Sequence, residues 1–154
     1  LDQFPHLNAL DLTNTNAKGS ELAKLKCLKQ MRNLDFTACR QITPLLRSLA
    51  GSKNMLWLKA SELSDGPLSQ EDLSNIASLT NLEKLELNGV GINNEAIETL
   101  SRLPKLRELT ARMGKVDRRA LKTLKMMKTL ESADLKNPLW QGRYEKDQQK
   151  PRPR

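Results

Sequence analysis

The sequence predicts an α/β fold: a right-handed solenoid with a parallel sheet on its concave side and helices on its convex side. Three observations predict it. The apolar pattern L-x-x-L-x-L starts at Leu7, Met31, Met55, Leu82, Leu106 and Leu130, at spacings of 24, 24, 27, 24 and 24 residues. A second apolar series follows the starts at intervals of three residues. Aromatic residues make up only 3% of a leucine-rich chain, which suits thin, similar layers.

The first half of each unit reads as a strand. Leu10, Leu34, Leu58, Leu85, Leu109 and Ala133 stand three residues after the starts, and Leu12, Phe36, Ala60, Leu87, Ala111 and Leu135 two further on. A step of two puts both rows on one face of a short strand. The second half reads as a helix. Leu22, Leu25 and Leu28 in the first unit, or Ile97, Leu100 and Leu103 in the fourth, form one apolar stripe. In the third unit the stripe is Leu73, Ile76 and Leu79, displaced by three residues. The insertion therefore falls in 64–70, a stretch rich in turn formers. A single strand and helix cannot bury this apolar surface alone, so the units must stack.

Leu7 to Leu25 and Leu82 to Leu100 resemble the short bacterial repeat L-x-x-L-x-L-x-x-T-x-I-x-x-x-x-L-x-x-L of the leucine-rich-repeat family. The run from Leu34 to Thr43, with Cys39, is similar to the cysteine-containing, ribonuclease-inhibitor-like class found in F-box proteins. The resemblance covers roughly residues 1–140 and implies a horseshoe of about six repeats. The family's ladder position holds Thr15, Cys39, Leu63, Val90, Gly114 and Pro138. Asn, Cys or Thr is usual there, so an unbroken side-chain ladder is not expected.

Leu1 and Phe4 match the last two helix positions of a preceding unit. The reading is a domain truncated at its N-terminal end, starting inside a helix, with an upstream cap or dimerisation through that end. At the other end Leu139, Trp140 and Tyr144 read as a plug over the last layer, and 141–154 as a basic tail. No apolar run approaches the roughly 18 residues of a membrane span. Cys27 and Cys39 sit at repeat positions and read as buried, reduced thiols, which favours an intracellular setting.

Little in the chain suggests catalysis. His6 is the only histidine and stands before the first strand without a partner in sequence. Two Cys and one His lack metal-ligand spacing. Gly89-Val90-Gly91 reads as the turn after the fourth strand, not a phosphate loop. No enzyme, cofactor or metal is expected.

The outward strand positions form the expected docking face. One column on it, Asp11, Asp35, Lys59, Glu86, Thr110 and Asp134, is expected to point to solvent. Trp57 stands near the middle, with Lys59, Lys84 and Arg112 around it. The expected partner-binding set is Trp57, Lys59, Lys84, Glu86, Arg112 and Asp35. The excess positive charge lies elsewhere, on helices and the tail: Lys18, Lys24, Lys26 and Lys29, then a basic helix face of Lys115, Arg118, Arg119, Lys122, Lys125 and Lys128, then Arg143, Lys146, Lys150, Arg152 and Arg154. The mixed-sign face with one Trp favours a protein partner over nucleic acid. The expectation is a non-catalytic protein-interaction module. One alternative is nucleic-acid or anionic-surface binding through the basic convex helix and tail. Another, resting on the Cys39 resemblance, is a substrate-recognition subunit of a ubiquitin ligase.

Overall fold

The computed structural model describes residues 1, 3–63, 66–113, 117–136 and 143–145, with backbone alone at Val90, Arg112, Met113, Lys136 and 143–145. Among them, seven strands form one sheet in chain order. Six are parallel: β1 Ala9–Asp11, β2 Asn33–Asp35, β3 Trp57–Lys59, β4 Lys84–Ile92, β5 Glu108–Met113 and β6 Ser132–Lys136. Helices α1 Gly19–Leu22, α2 Thr43–Leu49, α3 Gln70–Ala77, α4 Asn94–Leu100 and α5 Arg118–Met126 connect them. A 3-10 turn, Lys26–Gln30, follows α1. The fold is α/β, and no helix among the described residues is long and apolar enough to cross a membrane.

Sequence spacing becomes strand register. Leu10, Leu34, Leu58, Leu85, Leu109 and Ala133 face one another strand by strand across the parallel sheet. All but Leu10 are at most 1% exposed. The next inward row, Phe36, Ala60, Leu87, Ala111 and Leu135, is equally buried and alternates large with small. Each large side chain thereby has room over its neighbour. The helix leucines meet both rows in one continuous core.

Helix starts are fixed where the chain supplies a cap. Ser69 and Asp72 form a reciprocal capping box at α3, Asn93 accepts from the Ala96 amide at α4, and Asp117 accepts from the Arg119 amide at α5. The box at α3 stands at the end of the predicted insertion.

A ladder of side chains does exist, on the edge where helices lead into strands. Gln30 Nε2 donates to the Leu7 carbonyl (3.2 Å), Asn54 Nδ2 to that of Lys29 (2.9 Å) and Asn81 Nδ2 to that of Lys53 (2.7 Å). Thr129 Oγ1 donates to the Leu106 carbonyl (2.9 Å). Each turn is thus fastened to a neighbouring unit.

Three expectations are corrected. Gly89 and Gly91 are not in a turn beyond the fourth strand. They lie inside β4, at positive φ, where the register with β5 shifts between Leu87 and Ile92. Leu1 and Gln3–Leu7 are not helical. Two turn bonds, Phe4 N–H to Leu1 and Leu7 N–H to Phe4, repeat the i to i−3 pattern at Leu28 and Met31. The reading of 141–154 as a tail missed a strand: Arg143–Glu145 forms β7, antiparallel to β6. Leu139 and Trp140 lie outside the described residues, as do 146–154.

The two ends of the sheet differ. β7 covers β6, whereas among the described residues no strand pairs with the outer edge of β1. Leu7, Leu10, Leu12 and Leu25 are only partly buried there, and Leu1 and Phe4 are 46% and 60% exposed. Core truncations should reflect this gradient. Leu85→Ala, in mid-sheet, should cost about 3 kcal/mol in urea unfolding, and Leu10→Ala about 1 kcal/mol or less. Equal losses would contradict the burial gradient.

Candidate functional site

The sheet's outward face is built by the same alternation that buries the leucines. Parallel register sets each outward residue beside its counterpart about 4.8 Å away. Asp35 faces Lys59 across β2 and β3, and Lys84 faces Glu108 across β4 and β5.

Asp35 is the best-covered charge on this face, with 4% of its side chain exposed. Lys59 Nζ donates to its Oδ2 at 2.8 Å. The Thr37 amide and hydroxyl donate to its Oδ1 at 2.9 and 2.6 Å. Asp11 repeats this one strand away, accepting from the Thr13 amide at 2.8 Å. Burial alone would raise the Asp35 pKa, but the bonds from Lys59 and Thr37 prevail and hold it below the usual carboxylate value. The bond to Asp35 raises the Lys59 pKa against its own burial.

A second network crosses β3, β4 and β5. The Trp57 indole is partly buried, and its Nε1–H donates to Glu86 Oε1 at 3.2 Å. Lys84 Nζ lies 3.5 Å from the same oxygen and 3.3 Å from Glu108 Oε2. Burial works to lower the Lys84 pKa, but Glu108 and Glu86 together raise it. Arg107 and Glu131 pair alongside at 2.6 Å. These groups border a shallow groove of about 420 Å³ lined by Leu56, Trp57, Glu83, Lys84, Arg107, Glu108 and Glu131. The groove offers an aromatic edge, an aliphatic side chain and charges of both signs.

The structure brings Trp57, Lys84 and Glu86, three members of the expected set, together through side-chain contacts. It moves Asp35 out of the exposed column, because Lys59 and Thr37 close over it. Thr37 and Ser61, two residues beyond Asp35 and Lys59 on the same face, are buried as well. Lys59 is spent on Asp35, so the pair supports the face from below rather than offering it a contact. Arg112 is described by its backbone only, paired with Lys136. On the helix side Arg118, Arg119, Lys122, Lys125 and Lys128 are exposed, with Arg119 bonded to Glu98 at 2.9 Å. Lys115 lies outside the described residues.

Sequence reading missed two features. The Asp-x-Thr motif at Asp11–Thr13 and Asp35–Thr37 is a local turn signal, in which the carboxylate takes the amide two residues on. The groove's second wall, Glu108 with Arg107 and Glu131, follows from opposite charges at cross-strand positions. His6 is exposed in the turn before β1. Among the described residues no group of three His, Cys, Asp or Glu side chains is placed to hold a metal ion. A comparison of the chain with protein-family models and with curated proteins found no match.

The lowered Asp35 pKa sets a pH dependence. A depressed carboxylate contributes stability above its unfolded pKa, about 3.9, and loses it as pH falls through the folded value. Asp35→Asn should cost about 1–3 kcal/mol at pH 7. The gap to wild type should close as pH drops below about 4 in denaturant titrations. A gap of the same size at pH 7 and pH 3 would remove the ionic bond as its cause.

Proposed function

We propose that this chain is a leucine-rich-repeat solenoid acting as a non-catalytic protein-recognition module. The outward sheet face, concave in such a fold, is the docking surface. The repeat spacing and the unbroken row from Leu10 to Ala133 support the fold reading.

The observation that carries the function is the held indole of Trp57. It stands at the third of six parallel strands, beside the groove, with its one polar atom bonded to Glu86 and Glu86 braced by Lys84. An aromatic side chain fixed before binding loses little rotamer freedom on docking. Its remaining surface is apolar, which is the make-up of an interface anchor. The charges beside it are already paired with each other, so they select a partner of complementary pattern more than they add attraction.

The test is a capture experiment from source-cell lysate at moderate salt, read by quantitative mass spectrometry. It compares wild type with Trp57→Ala and with Trp57→Ala/Glu108→Lys, after circular dichroism shows all three folded. Proteins retained by the wild type should fall about tenfold or more with Trp57→Ala, the effect of about 1.4 kcal/mol. Equal retention by all three would overturn this face as the docking surface.

A further inference from the structure

The fastened edge, where helices lead into strands, carries exposed cations besides the Glu83, Arg107 and Glu131 that border the Trp57 groove. Its five connectors are 23–32, 50–56, 78–83, 101–107 and 127–131. They hold cations in four of five cases, while their only acidic residues are Glu83 and Glu131. Glu131 is bonded to Arg107, and Glu83 also lies close enough to Arg107 to raise its pKa. Lys26, Lys29, Lys53, Arg102 and Lys105 are all exposed, and none is in an ion pair with a described residue. Lys53 Nζ donates only to the Thr80 hydroxyl, at 3.1 Å.

We propose that this edge binds the phosphate backbone of duplex nucleic acid. Three observations favour that occupant. The cations are set on turns fastened by Asn54 and Asn81, so their spacing is fixed before binding. From β2 to β6 is four strand spacings, about 19 Å, so the edge follows a rod over about six base pairs. The connectors contain no Phe, Trp or Tyr. Phe4, exposed before β1, stands at one end of this edge, and the cation-bearing turns themselves offer bases no stacking platform, which disfavours a single strand. A bilayer would call for a plane with apolar residues to insert; among the described residues the exposed large ones are Leu1 and Phe4 before β1 and Met126 on α5, and none is on a connector that holds the cations. Contact with phosphates alone reads no sequence.

The experiment is fluorescence anisotropy with a random-sequence duplex of about 20 base pairs, titrated from low to physiological salt. One variant is Lys29→Glu/Lys53→Glu/Lys105→Glu. The control, Lys18→Glu/Arg40→Glu/Arg118→Glu, makes the same charge change at exposed positions on the opposite edge. Circular dichroism checks both, and Lys→Gln replaces Lys→Glu at the same three sites if the first variant is misfolded. Wild type should bind at low salt, and the edge variant at least tenfold more weakly, with a salt slope shallower by about 2–3. The control should change affinity less than threefold. Absence of binding at low salt, equal loss in both variants, or edge-dependent binding to phosphatidylserine vesicles without binding to the duplex would each overturn the proposal.

Discussion

Everything on the surface of this protein follows from the inward pair of side chains on each parallel strand. Leu34, Leu58, Leu85 and Leu109 hold a single register, and a slip of one residue would turn every inward side chain outward. Fixing the inward rows stacks the outward side chains in columns about 4.8 Å apart. Like charges in such a column repel. Asp11 and Asp35 are neighbours of this kind, and each raises the need for local compensation. Thr13 and Thr37 supply it through amide and hydroxyl bonds, and Lys59 completes it for Asp35. Elsewhere the column problem is met by alternating sign, as Lys84 with Glu108 and Arg107 with Glu131 show.

The two edges of the sheet answer to different constraints. The three extra residues of the third unit fall between β3 and α3, on the edge where strands lead into helices. The opposite edge is spared. Asn81 still reaches the Lys53 carbonyl, as Asn54 reaches that of Lys29, although the sequence separation grows from 25 to 28 residues. An insertion is absorbed where the connection is long and ends in a strong cap, here Ser69 with Asp72. The fastened edge tolerates less, because each turn supplies the acceptor for the next. Its cations also lie near helix C-termini, where positive charge is favoured.

The inward rows were legible in the sequence because apolar periodicity reports direction directly. Depth was not legible. Alternation says that Asp35 points away from the leucines, but not that Lys59 and Thr37 will cover it. The diagonal reach of Trp57 to Glu86 was hidden for the same reason: it depends on side-chain rotamers over a register known only to the residue. β7 left no apolar signal, since a strand added to an edge is recruited by backbone hydrogen bonds. Gly89 and Gly91 read as a turn because glycine marks positive φ without saying whether the strand ends or only bulges.

Face and edge meet at Leu56, Glu83, Arg107 and Glu131, connector residues that border the groove, but the exposed cations Lys26, Lys29, Lys53, Arg102 and Lys105 lie outside it. The outward strand positions carry Trp57 and paired charges of both signs, and their rigidity comes from cross-strand bonds. The connectors carry exposed cations, and their rigidity comes from side chains bonded to backbone carbonyls. Altering Lys29 or Lys105 leaves the Trp57–Glu86–Lys84 network untouched, because neither lysine side chain bonds to it. The reverse holds at the Asp35–Lys59 pair, which lies beneath the face and away from the turns. Shared dependence enters through the leucine rows and through the Arg107–Glu131 pair, which borders both. A core change near Leu85 would disturb face and edge together, whereas surface changes away from that pair should act on one of them at a time.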